Sequence, residues 1–163
     1  VLNERGWTPN QLSFTLLLVH SLGLVGYAAA GPLLDNVGRR PTVSLYFGLA
    51  GLATMLCFTA SSVLMISIGY FLSICMMAVW TISATISAEV FPTSMRATAN
   101  AVANNLLGRI GMVVAPACIG LLVSSVGSVG AAVAVLSPLA WVCIPLVWFW
   151  LPETRKKSLE EIV

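Results

Sequence analysis

The sequence predicts an all-α membrane protein with five transmembrane helices. Three observations carry that prediction. Hydrophobic residues make up 58% of the chain and charged residues 9%, whereas soluble domains are about a quarter charged. Mean hydropathy is correspondingly high, at +0.95. The charges also avoid long stretches: no Asp, Glu, Lys or Arg occurs from residue 6 to 34, from 41 to 88, or from 110 to 152. About 20 apolar residues cross a bilayer, so the two longer gaps each hold more than one span.

The spans follow in order. Span A covers about 11–34, span B 42–59, span C 63–88, span D 97–123 and span E 129–151. Turn-like residues separate them: Gly38 and Pro41, then Ala60, Ser61 and Ser62, then Pro92, Thr93 and Ser94, then Ser124 to Ser128 around Gly127. The spans are helical because the runs lack period-two alternation and lipid cannot satisfy open strand edges. Pro92 cannot continue a helix, and Thr93 or Ser94 is placed to cap the next one.

Basic residues set the orientation. Arg39, Arg40, Arg96, Arg155, Lys156 and Lys157 fall on one side of such a plan, with Arg5 alone on the other. The positive-inside rule makes the first side cytoplasmic. Residues 1–10 are then an external loop, 11–151 the membrane part and 152–163 a cytoplasmic tail. A net charge of +2 scattered over short turns is no nucleic-acid footprint. Cys57, Cys75, Cys118 and Cys143 lie within spans without metal-ligand spacing, and read as small packing residues. No phosphate loop, zinc spacing or nucleophile–base constellation is present, so neither an enzyme nor a cofactor is expected.

Two charged motifs bracket the membrane part. Gly31, Asp35, Gly38, Arg39 and Arg40 form G-x-x-x-D-x-x-G-R-R between spans A and B. Leu151 to Ile162 reads L-P-E-T-R-K-K-S-L-E-E-I. Together they resemble the signature loop and the P-E-T-(K/R) tail of the major facilitator superfamily of secondary transporters. A third segment, Glu89-Val-Phe-Pro-Thr-Ser-Met-Arg96, resembles the E-x-(F/Y)-P-T-x-x-R segment of the sugar-porter and organic-ion branches. By motif order the five spans correspond to the last five of twelve helices. The resemblance thus implies a piece of a longer chain, lacking an N-terminal half and a seventh helix, and unable to transport alone. Asn36 stands where family copies often carry a basic residue.

The resemblance implies a gating role for one set of residues. Asp35, Arg39, Arg40, Glu89, Arg96, Glu153 and Arg155 would form a cytoplasmic charge cluster that breaks as the cavity opens inward. Independent solvated charges are the alternative. Gly38 would supply a turn conformation that other residues resist. Gly31 would let another helix approach closely, as would Gly23, Gly26 and Ala30 on span A and Gly108, Gly111 and Ala115 on span D.

Arg109 is the principal candidate for reading substrate. It lies 12 residues into span D, about 18 Å along a helix that rises 1.5 Å per residue, near the middle of the core. A charge at that depth faces the bundle or a water-filled path and needs an anion. Its partner is a substrate, the missing half of a longer chain, or backbone carbonyls and water. Asn105 lies one turn earlier on the same face. Gly108-Arg109-Ile110-Gly111 followed by Pro116 resembles the R-x-G-x-x-x-x-P segment of organic-ion and aromatic-acid carriers, in which a basic residue accompanies anionic substrates. His20 sits at similar depth in span A, as a titrating or substrate-bonding group or as a packing histidine. Trp80 and Thr81, with Met77 and Thr85, mark span C as a cavity wall or as packing. Trp141, Trp148 and Trp150 read as lipid-facing or interfacial. The implied function is transport of a small organic anion at the plasma membrane, coupled to a proton or sodium ion. A sugar or polyol porter and a non-transporting relative are the alternatives.

Overall fold

The computed structural model describes residues 6–154. Its helices are α1 (Pro9–Asn36), α2 (Arg39–Thr59), α3 (Val63–Met76), α4 (Val79–Val90), α5 (Arg96–Asn100), a π-helical segment (Ala101–Leu107), α6 (Gly108–Val126), α7 (Val129–Leu136) and α8 (Leu139–Trp150). The described residues contain no strand. Joined end to end, these pieces make five helices long and apolar enough to cross a membrane: Pro9–Asn36, Arg39–Thr59, Val63–Val90, Arg96–Val126 and Val129–Trp150. The all-α, five-span class expected from composition is the class found.

The ends of the helices follow from local chemistry. Thr8 and Gln11 form a capping box that starts α1, with Pro9 in its first turn. The helix therefore begins two residues before the start expected for span A, and Trp7 packs with Cys57 and Ile66 rather than lying free. Gly127, at φ 84°, ends α6, and the Ser128 hydroxyl accepts from Ala131 N–H to cap α7. Thr93 and Ser94 do not cap α5. Its N-cap is Met95, with no side-chain cap hydrogen bond, because the turn closes through Met95 N–H donating to the Pro92 carbonyl.

Three irregularities divide the long helices. Span C turns at Met77 and Ala78, where successive amides reach back only three residues, so Met77 and the Thr81–Thr85 face belong to different pieces. Span D contains the π-helical segment. Span E breaks at Ser137 and Pro138, before α8.

Helix α2 is the hub, packing against α3, α7 and α8, while α1 lies mainly on α3. Small residues set these approaches. A Cβ on Gly26 would collide with the backbone of Cys75, and one on Gly23 with the Ile74 side chain. One on Gly69 would sit 2.6 Å from the Cys57 nitrogen. Gly51 makes room for Trp141, whose indole N–H donates to the Gly48 carbonyl at 3.1 Å. Trp141 therefore joins α8 to α2 through its polar handle while keeping an exposed face. Trp148 and Trp150 are exposed. Gly31 and Gly111 differ from expectation too: a Cβ on either meets nothing within 4 Å, so neither brings a described helix close. The core gathers Ala30, Leu34, Val43, Tyr46, Cys75, Met76, Ala78 and Ile82. Within it the Tyr46 hydroxyl donates to the Gly26 carbonyl at 2.6 Å.

Candidate functional site

The charged ends of α1, α2 and α4 and the segment after α8 meet at one end of the bundle. Helix α2 begins there with a difficulty. A helix leaves its first amides without partners, and the N-cap here is Gly38, which has no side chain to offer. Glu153, over a hundred residues away in sequence, supplies the cap. Its carboxylate accepts from Arg39 N–H at 2.9 Å and from Arg40 N–H at 3.1 Å. Pro41 has no N–H, and Thr42 N–H reaches the Gly38 carbonyl. Every amide of the first turn is thereby accounted for, with an anion at the positive end of the helix. Gly38 makes the approach possible. Its φ of 115° is one that L side chains rarely adopt, and an added Cβ would stand 3.1 Å from a Glu153 oxygen.

Arg39 is the centre of the cluster. Its Nε and Nη2 donate to the two carboxylate oxygens of Glu89 at 3.0 and 2.6 Å, a two-pronged contact that fits the planar fork of a guanidinium. Its Nη1 donates to the Leu34 carbonyl at 2.9 Å and lies 3.7 Å from Asp35 Oδ1. The two pairs differ in character: the Glu89 side chain is 17% exposed and the Asp35 side chain 75%. The Thr154 hydroxyl donates to Glu89 Oε2 at 2.6 Å, and Arg40 Nε donates to the Leu151 carbonyl at 2.6 Å. The structure thus brings together Asp35, Arg39, Arg40, Glu89 and Glu153 of the expected set. It adds Thr154, which the motif contained but which no charge marked. Arg96 makes no ion pair among the described residues, and its Nε is buried without a hydrogen-bond partner. Arg155 lies outside the described residues.

The second expected site is dispersed. Arg109 is exposed on α6 and Asn105 on the π-helical segment; Asn105 borders a shallow groove with Ala101 and Val102. The opposite side of the same rod faces inward. There Gly108 meets the Trp80 ring, at 2.9 Å from an added Cβ, and Asn104 and Trp80 line a cavity that neither Asn105 nor Arg109 reaches. Thr81 is exposed, and its carbonyl accepts from the Thr85 hydroxyl. His20 is exposed on α1, where its Nδ1 lies 2.8 Å from the Leu16 carbonyl and its ring stands edge-on to Tyr70 at 5.8 Å. Helix α1 packs on α3 and not extensively on the Arg109 rod. His20, Trp80 and Arg109 are therefore not gathered into one site: Trp80 shares a pocket with Tyr70, against which His20 stands, while Arg109 faces away. No group of three His, Cys, Asp or Glu among the described residues could hold a metal ion.

A family model described as Major Facilitator Superfamily matches residues 1–162. A cis,cis-muconate transport protein of Acinetobacter baylyi is 31% identical over 148 residues, covering 86% of this chain and 34% of that protein. The chain thus spans about a third of the length of this relative. No solved structure matches at a significant level. With five membrane-length helices and the charged motifs assembled at one end, the chain belongs to the major facilitator superfamily and is a multi-pass membrane protein of a transporter family rather than an enzyme.

Proposed function

We propose that this segment forms part of a secondary transporter that carries a small organic anion by alternating access. The single observation that carries the reading is Arg109. It is a permanent cation near the middle of a span, exposed on a face turned away from the described bundle, and without an ion-pair partner among the described residues. A cation at that depth of a bilayer needs an anion, and a carboxylate fits its fork. The similarity to a muconate transport protein supports a carboxylic acid as the class. The cluster around Arg39 serves as the cytoplasmic lock, joining the inner ends of α1, α2 and α4 to residues 153 and 154 when the cavity is closed to that side. In this reading the chain sits in the plasma membrane with its C-terminus in the cytoplasm, and a proton or sodium ion drives the cycle.

The test uses the full-length protein containing this segment, reconstituted into liposomes, with cis,cis-muconate as ligand. Losing one buried charge-assisted contact costs about 1.5–3 kcal/mol, or roughly 10- to 150-fold in affinity. Arg109→Ala is expected to weaken muconate binding by that much, and Arg109→Lys to restore part of it. The neutral dimethyl ester is expected to lose far less on Arg109→Ala. Equal losses for the acid and its ester would remove Arg109 from the role of reading charge.

A further inference from the structure

Behind the Arg109 face, a cavity of about 540 Å³ lies between α2, α4, the π-helical segment and α8. Its walls include Phe47, Trp80, Ser83, Ala103, Asn104 and Val147. Pockets of roughly 300–1,000 Å³ are the size that takes drug-like ligands. From these observations we infer that the cavity is a second binding site, separate from the Arg109 face, for an uncharged, largely apolar ring molecule bearing a hydroxyl or similar single polar group.

The chemistry of the walls selects that class. No Asp, Glu, Lys, Arg or His lines the cavity, so a carboxylate placed there would lose its hydration without gaining a counter-charge. Trp80 and Phe47 offer flat apolar surfaces suited to rings. Asn104 and Ser83 offer hydrogen-bonding groups to one polar substituent. The geometry is built rather than incidental. Gly108 leaves room for the Trp80 ring, since an added Cβ would stand 2.9 Å from it. The π-helical segment places Ala103 and Asn104 on the cavity side and Asn105 on the other. Single π turns within α-helices are uncommon and concentrate at functional sites.

The probes are 2-naphthol and 2-naphthoate, which share a ring system and differ in charge at pH 7, where a phenolic hydroxyl stays protonated. Radiolabelled probe is equilibrated with the full-length protein in nanodiscs, and empty nanodiscs measure partitioning into lipid. Saturable 2-naphthol binding above the partition level is expected. Ala103→Phe and Val147→Phe fill the cavity from two different helices, and each is expected to weaken that binding by at least about tenfold, since added bulk in a packed site has to displace the guest. Arg109→Ala is expected to leave 2-naphthol binding unchanged, and 2-naphthoate should not compete at the cavity. Monodisperse elution and an unaltered melting profile establish that both filling variants are folded, and a ring-filled variant that binds 2-naphthol as wild type does would overturn the inference. So would binding no greater than partitioning, or 2-naphthol binding lost in Arg109→Ala. That last result would place 2-naphthol at the Arg109 face, and the comparison of muconate with its ester decides separately whether Arg109 reads charge.

Discussion

At Arg39 one side chain holds two acids in different surroundings, and the surroundings decide which pair matters. The Arg39–Glu89 contact is two-pronged and largely shielded, whereas Asp35 meets Arg39 at 3.7 Å with most of its side chain in solvent. Exposed pairs contribute about 0–1 kcal/mol, while a shielded hydrogen bond to a charged group contributes about 1.5–3 kcal/mol. Glu89→Gln is therefore expected to lower the thermal midpoint of the detergent-solubilised protein clearly more than Asp35→Asn, in a dye-monitored melt of both variants. Glu89→Gln also leaves the Arg39 guanidinium short of a counter-charge, which adds to its effect. Equal shifts would mean that Asp35 has a partner beyond the described residues. Thr154→Val should resemble a milder Glu89→Gln, because it removes one donor to the same carboxylate oxygen. The charged members of this cluster were legible from the motifs, since each is a costly residue beside apolar runs. Their pairing was not. That Glu153 caps α2 depends on the approach of a segment 114 residues away, and Thr154 carries no charge to draw notice.

Small residues decide how closely the helices approach, and they are not equivalent. Gly23 and Gly26 lie in the α1–α3 contact and Gly69 in the α2–α3 contact, whereas Gly31 faces open space. The prediction contrasts two identical substitutions on one helix. Gly26→Ala is expected to destabilise the bundle, because the new methyl meets the Cys75 backbone, which cannot rotate away. Gly31→Ala is expected to be neutral or to stabilise by up to about 1 kcal/mol, since Ala is the better helix former and meets nothing. Melting temperatures of the two variants check this, and a larger loss at Gly31 would reverse the assignment. The spacing of Gly23, Gly26, Ala30 and Gly31 pointed to a packing face but could not show where that face ends. The breaks within spans divide in the same way. Spans C and E both read as unbroken in the sequence; Pro138 offers a local cause for the break in span E, while the turn at Met77 and Ala78 contains neither Gly nor Pro and has Ala78 wholly buried. Trp141 keeps an exposed face while its indole N–H reaches the Gly48 carbonyl, a contact that only the approach of α2 creates.

The whole molecule joins its helices at the ends and leaves their outer faces apolar. Apolar composition and charge gaps made the five spans legible because lipid tolerates so few alternatives. Faces were harder, because a span buried on one side by protein and on the other by lipid is hydrophobic all round. Span D shows how much that hides, with Arg109 exposed on one side and Gly108 against the Trp80 ring of span C on the other. The convergence of Asp35, Arg39, Arg40, Glu89 and Glu153 at one end of the bundle requires that the A–B turn, the end of span C and the segment after span E share one side of the membrane. The turns around Ser61 and Gly127 then lie on the other side. This topology is tested in a full-length background with Cys57, Cys75, Cys118 and Cys143 replaced. Single cysteines at Ser61 and Ser94, both exposed in turns, are treated in intact cells with a membrane-impermeant maleimide and again after permeabilisation. Cysteine at Ser61 is expected to react in intact cells, and cysteine at Ser94 only after permeabilisation, since the basic residues place that turn inside. The opposite pattern would keep the five spans and invert their orientation. Reaction of both sites from one side would mean that Val63–Val90 does not cross the bilayer, and the turn at Met77 and Ala78 would then mark a re-entrant segment.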